Sequence, residues 1–244
     1  MNAVDRVVGG LEKKNKMTTE EERHSIALHE AGHATVSWFL QYANPLVKVT
    51  IVPRGKALGA AWYLPEERQI TTTQALRDQM CATLAGRAAE EVFLGRISTG
   101  AANDLEHTTK TAYAMVAYYG MSDKLPNVNY YDMQGDGYGL TKPYSDRTAE
   151  LIDEEAREIV RVEYERAKEL LREHAEGLKT LTQLLLDREV IYTEDVEHIF
   201  GKRPWVSRTD EMILEHEEKN QEKEQGQEQE STTPTTDTEA TSNE

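Results

Sequence analysis

Cysteine is almost absent: Cys81 is the only one in 244 residues, so no intrachain disulfide can form, and a reducing compartment fits that usage. Cys81 lies in an apolar helical pattern, which predicts a buried, unreactive thiol rather than a nucleophile. Long apolar runs are missing too. None approaches the roughly eighteen residues that cross a bilayer, and the opening MNAVDRVVGGLEKKNK lacks the apolar centre of a secretory signal. The chain as it stands is therefore expected to be soluble. There is also no basic excess. Of the formal charge of −16, Thr209–Glu244 carries −10, twelve acidic side chains against Lys219 and Lys223, which leaves −6 for the first 208 residues. A body of that charge has no basic stripe, and nucleic acid is not an expected partner. No fixed period recurs, so a solenoid is excluded.

What is present divides into a body and a tail. Residues 206–244 read as an acidic tail, disordered from about Glu217 onward, because EKNQEKEQGQEQESTTPTTDTEATSNE has no aromatics and too little apolar surface to offset chain entropy. In the body, Thr18 or Thr19 followed by Glu21 or Glu22 forms a capping-box pattern ahead of a helix over about 20–41. Val47, Val49 and Ile51 alternate with Lys48 and Thr50 as one strand, and Gly59–Pro65 is a second extended piece able to pair with it. Thr71–Thr73 cap a helix to Gly95 with Leu76, Met80, Leu84, Ala88 and Val92 on one face; Asn103 caps another to Gly120, with Leu105, Ala112, Met115 and Tyr119 inward. Gly- and Pro-rich sequence between Lys124 and Ser145 predicts a loop. Helices follow from Ser145 or Asp146 to about Glu173, through Leu178, Leu181 and Leu185, and from a Thr193 cap to Gly201. The expected fold is mainly α, with a small β-sheet and a C-terminal helical bundle.

Chemistry concentrates in HEAGH, residues 29–33, inside the first helix. Residues four apart share a helix face, so His29 and His33 can direct ring nitrogens at one zinc ion at about 2.0–2.1 Å. Glu30 falls beside such a metal rather than on it, where its carboxylate can take a proton from water. Gly32 costs a helix interior about 1 kcal/mol relative to Ala, and that cost calls for a packing or access reason. The plainer alternative is two helical histidines facing solvent or core. A catalytic zinc needs a third protein ligand and an open position. No Gly-x-x-His follows His33, so the ligand must come from farther along. Glu90 and Glu91 in GRAAEEVFLG, or Asp104 in STGAANDLEHTT, are the candidates, with His107 behind them. One of the glutamates could instead hydrogen-bond a ligating histidine, and Asp104 could simply offset a helix dipole.

HEAGHA, VKVTIVPRGKALGAAWYLPEE and GRAAEEVFLGRISTGAANDLEHTTKTAYAMVAYYGMSDKL together resemble the proteolytic domain of FtsH-type AAA+ ATP-dependent zinc metalloproteases, over about four fifths of the chain, Asn2 to Pro204. The resemblance implies that His29, His33 and Asp104 hold zinc, that Glu30 is the general base, and that the Glu90–Glu91 helix is a supporting element. It implies a zinc metalloprotease domain over 20–205 and makes 1–19 the end of an ATPase module and its linker. It further implies a homohexamer, unfolded or membrane-protein substrates, and a full-length protein held in a membrane: the cytoplasmic face in bacteria, or an organellar inner membrane. No G-x-x-x-x-G-K-[ST] phosphate loop occurs in this sequence, so ATP enters only through a module outside it. The expected chemistry is zinc-assisted hydrolysis of internal peptide bonds, with the strand Lys48–Pro53 as an edge for an extended substrate. Two alternatives are a stand-alone, ATP-independent zinc peptidase and a non-catalytic module that holds zinc or a partner.

Overall fold

Helix α1 (Glu20–Phe39) carries HEAGH, and its start is set by Thr19. The Thr19 hydroxyl accepts the Glu22 N–H at 3.2 Å while a Glu22 carboxylate oxygen accepts the Thr19 N–H at 2.9 Å. This reciprocal cap contributes about 1 kcal/mol and fixes where the helix begins. Every residue from Ala27 to Trp38 is buried, so α1 is wrapped on all sides rather than half-exposed. In this computed structural model the described residues are 19–53, 58–65, 69–130 and 144–206. All but Val206 belong to the unit Met1–Trp205. The expected linker and the acidic tail otherwise lie outside the described residues, as does most of the Gly- and Pro-rich loop.

The remaining order is β1 (Leu46–Thr50), β2 (Ala60–Tyr63), α2 (Thr73–Leu94), a 3-10 turn (Thr99–Ala101), α3 (Ala102–Tyr113) running into a π-turn (Ala114–Tyr118), α4 (Asp146–Glu173), α5 (Ala175–Arg188), β3 (Val190–Tyr192) and α6 (Thr193–Phe200). The fold is mainly α with one small sheet. One apolar cluster joins α1 to α2, to the sheet and to α5, through Leu28, Val36, Val49, Ala85, Leu181 and Leu185. A second lies between α2, α3 and α4, built from Met80, Ala112, Met115, Ile152 and Ile159. Helix α2 thus has two buried sides, and Cys81 sits on it with no exposed surface; burial pushes its thiol pKa up, which leaves it a poor nucleophile.

Several local expectations are corrected. The sheet order is β2–β1–β3, both pairs antiparallel, so β1 is the central strand and its edges are already paired. Strand β3 is only three residues between two helices, too short to show an alternation. Val47 on β1 is exposed and Lys48 is buried, its ammonium 4.9 Å above the Trp62 ring; a cation over an aromatic face has displaced the simple apolar alternation. Asn103 lies inside α3 and does not cap it. The start is built instead by Ser98, whose hydroxyl accepts the Gly100 N–H at 3.1 Å and opens the 3-10 turn. Tyr119, expected inward, is exposed, because the π-turn shifts the face after Tyr113. Thr193 opens α6 but spends its hydroxyl on the Leu46 carbonyl at 2.6 Å, while Asp195 accepts the Tyr192 N–H.

Gly32 has a packing reason. A Cβ there would lie 2.8 Å from the Ala85 carbonyl oxygen and 2.8 Å from the Ala89 Cβ, so α1 and α2 touch backbone to backbone at this point. Gly32→Ala gains about 1 kcal/mol of helix propensity but forces apart a contact where overpacking costs about 1–3 kcal/mol. The expected outcome is net destabilisation, read as a lowered urea midpoint with an unchanged slope; an equal or higher midpoint would refute the close contact.

Candidate metal centre

The two imidazoles of HEAGH point from one face of α1, and α2 decides how they are turned. His29 Nδ1 lies 2.7 Å from Glu90 Oε1, and His33 Nδ1 lies 2.9 Å from the Ala82 carbonyl oxygen. A carbonyl can only accept, so His33 carries its proton on Nδ1; the Glu90 carboxylate draws the His29 proton to the same position. Both rings are thereby left with Nε2 facing the cleft, the arrangement a metal-binding histidine needs.

Asp104 comes to these nitrogens from the first turn of α3. Its Oδ2 lies 3.3 Å from His29 Nε2 and 3.5 Å from His33 Nε2, and the two Nε2 atoms are 3.1 Å apart. Ligands placed tetrahedrally at about 2.0–2.1 Å from one ion are separated by roughly 3.3 Å. The three donors therefore fit a zinc-sized cation with no rearrangement, and two nitrogens with one carboxylate oxygen suit its chemistry. Gly86 on α2 gives an independent test of the fit. A Cβ at that position would stand 2.5 Å from both Nε2 atoms, so only a residue without a side chain leaves them accessible.

The other residues singled out by sequence fall elsewhere. Glu90 serves His29, and its carboxylate also accepts the Ser98 N–H at 2.7 Å and the Ser98 hydroxyl at 3.0 Å. Since Ser98 opens the turn that leads into α3, one carboxylate ties the His29 ring to the segment bearing Asp104. Glu91 faces away and pairs with Lys168 at 2.7 Å and with the Tyr164 hydroxyl. His107 lines the cleft one turn after Asp104 but is outside the three-donor cluster. The Ala82 carbonyl and Gly86 carry no sequence signal as site components, since one acts through its backbone and the other through a missing side chain.

Glu30 is buried on the neighbouring face of α1, beside β2. Burial raises its pKa, opposed by His33 and His29 and by the backbone of Ala61. A carboxylate shifted upward in this way is a better proton acceptor than an ordinary one. Around these groups lies an open cleft of about 1140 Å³, bordered by α1, β2, α2 and the start of α3.

The sequence profile of peptidase family M41 matches residues 16–199. The chain belongs to peptidase family M41. That family is one of peptidases. The chain is 71% identical over 219 residues to the ATP-dependent zinc metalloprotease FtsH of Parabacteroides distasonis, covering 90% of this chain and 32% of that protein. It is 51% identical over 207 residues to the mitochondrial ATP-dependent zinc metalloprotease FTSH 3 of Arabidopsis thaliana, covering 84% of this chain and 26% of the relative. Identity to the mouse mitochondrial inner membrane m-AAA protease component AFG3L2 is 44% over 208 residues, 85% of this chain and 26% of the relative. The chain thus spans about a third or less of the length of these relatives.

Two outcomes are expected for this M41 site. Gly86→Ala should lower bound zinc from about one per chain to near zero by elemental analysis, with helical circular dichroism retained; full zinc content would show that the space over Gly86 is not the metal position. The second concerns protons. In the metal-free site burial lowers the His29 pKa, but hydrogen bonds to Asp104 and Glu90 outweigh it and raise the pKa from 6.5 to about 10. A pKa raised by folding adds stability that is complete below about 6.5 and is lost as pH climbs through about 10. Metal-free protein should therefore lose stability over that window. Zinc uptake at pH 7 should expel about one proton, seen as buffer-dependent heats in calorimetry, because metal and proton compete for Nε2; buffer-independent heats would contradict this.

Proposed function

We propose that residues 20–205 form the catalytic domain of an FtsH-like zinc metalloendopeptidase, in which His29, His33 and Asp104 hold one zinc ion and Glu30 is the general base. The observation that carries this reading is the triangle of donor atoms, 3.1–3.5 Å on its sides, beside a buried carboxylate in an open cleft. Zinc, when bound, supplies a Lewis acid that acidifies a water and polarises the scissile carbonyl. Glu30 takes the proton of the attacking water and passes it to the leaving amine. Glu90 and the Ala82 carbonyl hold the two imidazoles in place during this exchange.

The strand that offers an edge to substrate is β2 rather than β1. Among the described residues β2 pairs only with β1, and Ala60, Ala61 and Tyr63 border the cleft. An extended polypeptide laid along it would be bound through its backbone, with little regard to side-chain identity. Such binding suits degradation of unfolded or membrane proteins. The relatives named ATP-dependent are about three times this chain's length or more, and the proposal assigns unfolding, membrane attachment and assembly into a homohexamer to the whole protein. Among the described residues no helix is long and apolar enough to cross a membrane.

Glu30→Gln keeps the shape of the side chain and removes its basicity. The variant should hold zinc as the parent does and cleave unstructured casein at least a hundredfold more slowly, the upper range for loss of a positioned general base being on the order of 10⁴. Undiminished cleavage would overturn the mechanism.

A further inference from the structure

Gly59 sits immediately before β2, directly against the Glu30 side chain. A Cβ there would lie 2.8 Å from Glu30 Cγ and 2.8 Å from Glu30 Oε1, with the Thr50 carbonyl oxygen 3.0 Å away on β1. The volume that any other residue would fill is the volume in which the Glu30 carboxyl rests. Two residues on, the backbone of Ala61 interacts with the same carboxyl and favours its charged form. Helix α1 supplies the carboxyl, and the strand bordering the cleft determines where it points.

We propose that Gly59 is a positioning residue for Glu30: its missing side chain leaves the space that holds the carboxyl toward the cleft, so the start of β2 sets the aim of the base. The proposal rests on the assignment of Glu30 as the base. Of the three atoms nearest to such a Cβ, two, Cγ and Oε1, belong to the Glu30 side chain, which can rotate, and the third is a backbone oxygen of a paired strand. Relaxation therefore goes into Glu30 rather than into the sheet. A substitution at Gly59 should appear mainly in the chemical step, since misplacing a reacting group by about 1 Å costs on the order of 10²-fold in rate. None of the three nearest atoms to that Cβ belongs to a proposed metal ligand, so zinc content should not change.

The test uses the zinc-loaded 244-residue chain and Gly59→Ala, with a short unstructured fluorogenic peptide as substrate and thermal unfolding as a readout independent of activity. The expected result is a fall in kcat of tenfold to a hundredfold, KM within about threefold, and one zinc retained per chain. Any loss in Tm caused by Gly59→Ala should disappear in a Glu30→Ala background, where the clashing carboxyl is gone. A Gly59→Ala chain with parental kcat overturns the proposal, and so does a Tm loss that persists undiminished without the Glu30 side chain. Failure of the base assignment is read separately: Glu30→Gln would still cleave, whereas failure of this proposal leaves Glu30→Gln inactive and Gly59→Ala active.

Discussion

Helices α1 and α2 meet so closely that the Ala85 carbonyl oxygen and the Ala89 Cβ occupy the ground where a side chain on Gly32 would stand, and the candidate metal centre lies along that seam. On α2, Ala82 and Glu90 are eight residues apart, about two turns, and so share a face. They receive the two Nδ1 atoms of α1. Gly86 lies midway between them and opens the space into which both Nε2 atoms point. The HEAGH motif places two imidazoles on one side of a helix, but their tautomers, their ring rotation and the room for an ion are properties of α2. A shift of one helix along the other would break both hydrogen bonds and close the space over Gly86.

The charge balance at the seam explains why the site is suited to a cation. Glu30 and Glu90 are buried and Asp104 is half-buried, all close to the two histidines. Isolated carboxylates in such a place would be costly, since desolvation penalises each charge by several kcal/mol. In the metal-free site the deficit is met by holding a proton on His29 far above its ordinary range, while burial, which would raise the Asp104 pKa, is outweighed by the hydrogen bonds to the two histidines, which hold that carboxyl well below its own range. A divalent ion at Nε2 would perform the same neutralisation with more charge. Glu30 differs from the others in that burial wins and its pKa goes up. One environment thus separates carboxylates held ionised, Glu90 and Asp104, from one whose affinity for a proton is raised, Glu30, the division of labour that the proposed acid–base role of Glu30 would use.

Sequence reading reached the parts of this arrangement that depend on side-chain identity at fixed spacing. HEAGH, the Thr19 and Thr72 caps, strands β1 and β2 and the long α4 pattern follow from capping residues and from helical or strand periodicity, and the structure has elements at those places. Spacing alone left the third donor open among Glu90, Glu91 and Asp104, because nothing local says which of three later carboxylates returns to α1. What escaped sequence reading acts through backbone or through empty space. The Ala82 carbonyl would be available whatever residue stood there, and Gly86 and Gly59 matter for atoms they lack. Strand β3 is recruited by tertiary pairing with β1, and it turns an expected edge into the centre of the sheet. The π-turn after Tyr113 inserts an extra residue per turn, which no 3.6-residue pattern anticipates.

If α2 sets the site, something must hold α2 in rotation about its own axis, and apolar packing alone does this poorly because Ala and Leu surfaces slide. On the side of α2 facing α4, Asp78 is almost wholly buried. Its Oδ1 accepts from Arg166 at 2.8 Å and from the Gln74 amide at 2.9 Å, while its Oδ2 accepts the Tyr42 N–H at 3.1 Å. Arg166 also reaches the buried Glu163 at 3.1 Å, and Arg77 of α2 approaches the same carboxylate at 3.6 Å. Replacing a buried ion pair by apolar residues is often neutral for stability, whereas removing one partner leaves an uncompensated charge. The contribution of such a network is therefore directional. It allows one rotation of α2 against α4 and against the chain that follows α1, and in that rotation Ala82, Gly86 and Glu90 all face the histidines. Polar contacts whose side chains do not line the cleft thus constrain the same helix that orients both rings, and they do so by geometry rather than by added stability.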